Sequence, residues 1–220
     1  MNYGNLYIVA TPIGNLQDIT LRALETLKQS EAIFCEDTRH TKNLLANFDI
    51  KKKTFSLHQH SNESSYEKVL EQLALGDVSY VSDAGTPGIS DPGGKLVEYV
   101  ALRGIKVIPM PGASAITTAL SISGFPTDKF LFLGFMPHKG KTKTFKQIEE
   151  SKITVAFYES THRIIKTLEQ MKEFVGDRRI VVARELTKQF ETVYRGTTPE
   201  VISELEDMYK GEFVVIVSSK

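Results

Sequence analysis

Tryptophan is absent from this chain, and cysteine occurs once, at Cys35, so no disulfide can form within it. An excess of one charge is missing as well: 27 Lys and Arg balance 27 Asp and Glu. That balance excludes a global electrostatic attraction to nucleic acid and leaves only local patches to supply one. No stretch approaches the roughly 18 apolar residues of a membrane span. The opening MNYGNLYIVATP has no charged segment followed by an apolar one, so no signal peptide is expected and the cytosol is the expected compartment. Internal repeats and low-complexity segments are lacking too. The dinucleotide fingerprint G-x-G-x-x-G is missing after the first strand, where the chain reads ATPIGN.

What is present is ordinary globular composition, 41% apolar and 25% charged over 220 residues, enough for one large domain or two small ones. In the first half, short apolar runs alternate with Gly/Pro loops and helical periods. LYIVA, AIFCED, VSYVS and IKVIPM (residues 6–10, 32–37, 78–82 and 105–110) read as strands, each followed by a helical stretch. Strands alternating with helices predict βαβ units and a mainly parallel sheet with helices on both faces. After GFPTDKF the texture changes. FLFLGF, ITVAFYES, RIVVARE, QFETVYRG and GEFVVIVSS read as strands, with helices near 141–150, 161–174 and 199–209. The third and fourth of these runs are close enough to form an antiparallel hairpin, so a second α/β domain with a mixed sheet is expected. The boundary is expected in SISGFPTD, giving domains 1–122 and 123–220.

Three loops follow strands at what should be one sheet edge: ATPIGN (10–15), SDAGTPGISDPGG (82–94) and PMPGASA (109–115). Gly lets backbone approach a ligand, helix N-termini offer free N–H groups, and Pro fixes the loop in advance. Any one of these loops could be a plain turn; three on one edge suggest a site. A phosphate-binding P-loop does not fit, because GFMPHKGKT places five residues, not four, between Gly134 and Gly140. Asp83 and Asp91 in the second loop also disfavour phosphate, and a neutral or cationic ligand suits it better.

VSDAGTPGISDPG, LYIVATPIGNLQDIT, CEDTRHTKNLL, PGASA and YESTHR together resemble the ribosomal RNA small-subunit methyltransferase I family, within the tetrapyrrole (corrin/porphyrin) methylases; the resemblance runs from about residue 5 to 218. It implies a two-domain α/β fold, S-adenosylmethionine (SAM) in a cleft between the domains, and 2′-O-methylation of a cytidine in the decoding region of 16S rRNA. It further implies action on the 30S subunit and a homodimer. SAM carries a sulfonium, an adenine and an amino-acid tail but no phosphate, which agrees with the loop chemistry. By resemblance the cofactor contacts are Ile13 and Gly14; Asp83, Ala84, Gly85, Thr86, Pro87 and Ile89; Ser114 and Ala115; and, in the second domain, Tyr158, Glu212 and Phe213.

A ribose hydroxyl needs a base, or cations that stabilise the developing alkoxide. Three polar clusters are candidates. Glu36, Asp37 and Arg39 lie at a strand end, where Asp37 or Thr38 could instead cap the next helix. His58 follows the short run TFSL; with His60 it forms a His-x-His pair that lacks a third metal ligand, so no metal is expected. Glu159, His162 and Arg163, with Arg184, Glu185 and Lys188, end strands of the second half. Adjacent strands would gather these charges, as a site or as a structural ion-pair network. Lys139, Lys141, Lys143 and Lys146, together with His162, Arg163 and Lys188, are the candidate RNA contacts, and Lys51–Lys53 form a further basic run. Two departures from the family pattern are Thr161 where Pro is common and a chain that stops at Lys220 where members usually continue into a helical tail. Two other readings stay open: a superfamily methylase with a tetrapyrrole or protein acceptor, and a non-catalytic ribosome-assembly factor.

Overall fold

The computed structural model describes residues 3–58, 61, 63–91, 93–205 and 210–220, and divides into two units, Met1–Ser114 and Ala115–Lys220. The division falls before a short helix that the sequence analysis counted with the first domain. That helix contributes its buried Ile116, Ala119 and Leu120 to the second unit.

The first unit has five strands, β1 (Leu6–Val9), β2 (Ala32–Cys35), β3 (Lys53–Ser56), β4 (Val78–Val81) and β5 (Val107–Met110), in the order β3-β2-β4-β1-β5. Every pairing is parallel. The helices are α1 (Leu21–Gln29), α2 (Thr38–Asn47), α3 (Glu63–Leu73) and α4 (Gly93–Ala101). Side chains alternate along a strand, so β2 sends Ala32 and Phe34 to one face and Ile33 and Cys35 to the other. Both faces are apolar and both are covered. One layer joins Phe34 to Val69, Leu73, Leu96 and Val100 of α3 and α4. The other joins Ile33 and Cys35 to Ala23, Leu27 and Leu45 of α1 and α2. The sequence reading had no helix at α3. Its signal is Tyr66, Val69, Leu70 and Leu73, at the spacing of one helical face.

The second unit opens with α5 (Ala115–Ser121) and builds a mixed sheet from β6 (Phe130–Phe135), β7 (Thr154–Ser160), β8 (Ile180–Arg184), β9 (Thr192–Gly196) and β10 (Glu212–Val217). The order is β6-β7-β10-β8-β9. β8 and β9 form the expected antiparallel hairpin, while β6 and β7 are parallel. Helices α6 (Lys141–Glu150), α7 (Ile164–Val175) and α8 (Thr198–Leu205) cover one face through Phe145, Ile148, Leu168, Met171, Val201 and Leu205. β7 and β8 are not neighbours, because β10 is inserted antiparallel between them. The expectation that adjacent strands gather the charges at their ends is corrected by this insertion.

Candidate active site

Because all strands of the first unit are parallel, their carboxyl ends open on one edge. β1 and β4 lie side by side at its centre. The chain leaves β1 toward β2 on one side and leaves β4 toward β5 on the other. Such a switch point leaves a crevice outside the strand ends. Two loops meet there. Thr11 and Gly85 exchange both backbone hydrogen bonds, at 2.9 and 3.0 Å, and the Thr11 hydroxyl donates to the Ser82 carbonyl at 3.3 Å. The third loop joins them through the Thr86 hydroxyl, which donates to the Ala113 carbonyl at 3.0 Å. Gly85 has φ +78°, and a Cβ placed on it would lie 3.3 Å from Ile13 Cγ2. The position therefore favours glycine for its conformation, and a methyl group there would press on the Ile13 side chain. Asp91 shapes the same loop: its carboxylate accepts the N–H groups of Gly88 at 2.7 and 2.8 Å and of Gly93 at 2.7 Å. Ile89, by contrast, is exposed.

The end of β2 is tied to this loop by Asp83, whose carboxylate accepts the Asp37 backbone N–H at 3.1 Å. Asp37 itself caps α2, accepting from Arg39 N at 2.8 Å, and pairs with the Arg39 guanidinium at 2.8 Å. Those hydrogen bonds hold its carboxyl well below the usual range. Arg39 points into solvent, its side chain 89% exposed. Glu36 is different. It is half-buried, and its carboxyl is pushed up to about 7, first by burial and then by the negative charges of Asp83 and Asp91. Beneath it the side chain of Tyr80 is fully buried, and its hydroxyl has no hydrogen-bond partner among the described residues. Burial and the charges of Glu36 and Asp91 raise the Tyr80 phenol. The sequence analysis missed Tyr80, since one aromatic in a buried strand reads as core. His58 is exposed at the end of β3, and its backbone N–H donates to Ser61 Oγ at 2.9 Å. Gln59 and His60 lie outside the described residues. Among those described, no three His, Cys, Asp or Glu side chains could hold a metal together.

In the second unit the predicted residues fall into two networks. Glu159, with no side-chain exposure, accepts from Ser160 N at 2.8 Å, Arg163 Nε at 2.7 Å and Thr167 Oγ1 at 2.6 Å. Lys141 Nζ approaches it at 3.8 Å. Separately, Lys188 bridges Glu185 at 2.9 Å and Glu212 at 2.8 Å. Burial opposes the charge on Glu185, but the bonds from Lys188 and the Glu212 N–H outweigh it and lower its pKa. Arg184 is spent on the Lys210 and Phe190 carbonyls, at 2.5 and 3.1 Å. Alternation along β7 puts Glu159 on the face covered by α6 and α7. Tyr158 takes the other face, packed against Phe132 and Phe135 with ring centroids 5.0 and 5.2 Å away. Burial raises the Tyr158 phenol. Phe213 is a core side chain, so only its backbone is available to a ligand. Ser114 ends the first unit and Ala115 opens α5.

Residues 5–202 match the family model of the Tetrapyrrole (Corrin/Porphyrin) Methylases. A ribosomal RNA small subunit methyltransferase I from Haemophilus influenzae is 51% identical, covering 99% of this chain and 79% of that protein. The protein of that name from Thermotoga maritima is 43% identical, covering 99% of each. A crystal structure of uroporphyrin-III C-methyl transferase from Thermus thermophilus, complexed with S-adenyl homocysteine, superposes with a TM-score of 0.66 at 16% identity, covering 98% of this chain and 97% of that one.

Proposed function

The chain belongs to the ribosomal RNA small-subunit methyltransferase I group of the tetrapyrrole (corrin/porphyrin) methylases, and from that premise we propose that it transfers a methyl group from SAM to a cytidine 2′-hydroxyl of 16S rRNA. The observation that carries the reading is the pair of central-edge loops locked together at Thr11 and Gly85. They offer backbone N–H and C=O groups, small side chains and the Asp83 carboxylate, and no phosphate cradle. That donor set fits SAM: carbonyls and a carboxylate suit a sulfonium and an amino group, and N–H groups suit a carboxylate and an adenine. Ile13, Gly14, Asp83, Ala84, Gly85, Thr86, Pro87, Ile89 and Ser114 of the first unit would hold it.

Bound SAM supplies an electrophilic methyl carbon. The chain's own part is to orient the ribose, exclude water and take a proton. Glu36 is the group suited to that last task, because a carboxyl near 7 is half ionised at neutral pH and accepts a proton readily. It lies on the same edge as the loops, and Asp83 ties the end of its strand to them. His58, farther along the edge, is the second candidate. Action within the assembled 30S subunit, as a homodimer in the cytoplasm, completes the proposal. No helix among the described residues is long and apolar enough to cross a membrane. Transfer of labelled methyl from SAM to small subunits lacking the modification, with calorimetry of SAM binding, tests the reading. Label at one ribose 2′-oxygen is expected. Label on a tetrapyrrole precursor instead would contradict it.

A further inference from the structure

In the second unit, a cavity of about 1020 Å³ lies beside the first turns of α6 and α7, lined among others by His138, Lys141, His162, Arg163 and Lys166. The same cavity is bordered farther along α7 by Glu169, Lys172 and Glu173, so its net positive charge lies at the helix starts. Neither helix has a side-chain cap there, since Gly140 and Arg163 occupy the cap positions without capping bonds. The Lys143 N–H turns back to the Gly140 carbonyl at 3.2 Å, and no side-chain cap takes the remaining first-turn N–H groups.

Arg163 is anchored on two sides. Nε donates to Glu159 Oε1 at 2.7 Å and Nη2 to the Met136 carbonyl at 2.6 Å. Its Nη1 is buried and has no hydrogen-bond partner among the described residues. Lys141 is held by Thr167 Oγ1 at 2.6 Å, and Thr167 in turn donates to Glu159. Two largely buried cations therefore share one buried carboxylate, with one positive charge in excess and one guanidinium donor unspent. Burial lowers the Lys141 pKa against the pull of Glu159, and the nearby charges of Arg163 and Lys166 add to the lowering. An anion in the cavity would offset that excess charge.

We propose that this cavity binds a backbone phosphate of the RNA substrate, with Lys141 and Arg163 as the inner cations and His162 and Lys166 as the outer ones. The proposal rests on reading the chain as an rRNA methyltransferase. An RNA strand fits better than a free anion because the cavity far exceeds one phosphate and its cations are spread along two helices. Glu159 is then a positioning residue that fixes the Arg163 fork. Lys139, Lys143 and Lys146 are exposed and do not line the cavity. Lys166 had no place among the sequence-predicted contacts, although it follows Arg163 by one helical turn.

Fluorescence anisotropy of a labelled small-subunit rRNA fragment, across a salt series, tests this for wild type, R163K and K166Q, with SAM affinity measured in parallel. R163K keeps the charge but loses the fork, and RNA binding should weaken about tenfold or more. K166Q should make the slope of log K against log salt shallower by about 0.7–0.9. Both should keep wild-type SAM affinity, and K166Q should also keep wild-type Tm, whereas R163K lowers Tm by loosening the Glu159 network. Inorganic phosphate should displace the fragment from wild type more effectively than chloride at equal ionic strength, and less so from R163K. Wild-type RNA affinity and salt slope in both variants would overturn the proposal, even if inorganic phosphate binds, since the site would then serve a free anion. Absence of methyl transfer by wild type would instead defeat the reading beneath it.

Discussion

Glu36 and Glu159 are both carboxylates near strand ends, and their surroundings assign them opposite tasks. Glu159 is completely buried, accepts three hydrogen bonds and faces two cations. Removing it leaves those cations uncompensated. E159A should therefore cost about 3–5 kcal/mol in urea denaturation, while kcat at saturating RNA stays within a few-fold of wild type in the folded fraction. A stability close to wild type would show that the network is slack. Glu36 is only half-buried, and burial first, then the like charges of Asp83 and Asp91, raise its pKa to about 7. As the proton acceptor it must be ionised, so kcat/KM should rise with pH up to about 7 and level off above it. E36Q should lose about 10²–10⁴ in kcat with SAM affinity retained. The same shift has a stability signature. Folded Glu36 holds its proton more tightly than the unfolded chain does, so its stabilising contribution is present below about 4.5 and is lost as pH rises to about 7. E36Q should thus melt higher than wild type above pH 7 and match it below 4.5. An inactive variant that is also less stable at pH 8 would indicate that Glu36 is structural.

The loops at the ends of β1, β4 and β5 act as elements, because their geometry is set jointly. Gly85 carries a left-handed φ and faces Ile13 across the two-loop bridge. G85A should cost about 1–2 kcal/mol of stability from backbone strain alone. It should also weaken SAM binding, since the strained backbone and the Ile13 side chain must adjust to admit the methyl group; calorimetry reads this directly, and unchanged affinity would remove the loop from the site. These loops were legible in the sequence because glycine, proline and strand ends are local signals. The ties between them were not. Thr11 meets Gly85, and Asp37 meets Asp83, only because β4 lies between β1 and β2, and strand order is encoded by no local pattern. The same limit explains the misplaced charge cluster. Glu159 and Arg184 each end a strand as expected, but both pair with Phe213, which separates them.

At the scale of the whole molecule, zero net charge means that affinity for RNA depends on where the cations are placed. The sequence marked basic runs but could not say which of their members face a common cavity. Lys141 and Lys166, 25 positions apart, converge on one cavity, while Lys143, two residues from Lys141, does not line it. A change in strand texture along the chain was legible in the sequence. The side taken by α5 was not, because its buried positions are Ile, Ala and Leu, which suit either unit. On the proposed reading, loops on the first unit present SAM and the acceptor is a ribose of small-subunit RNA. The most direct measurement is transfer of labelled methyl from SAM to 30S subunits from cells lacking this gene, followed by mapping of the modified nucleotide. Label at a single cytidine 2′-oxygen is expected, lost in G85A and strongly reduced in E36Q. SAM binding with no label on the 30S subunit or its RNA would contradict it.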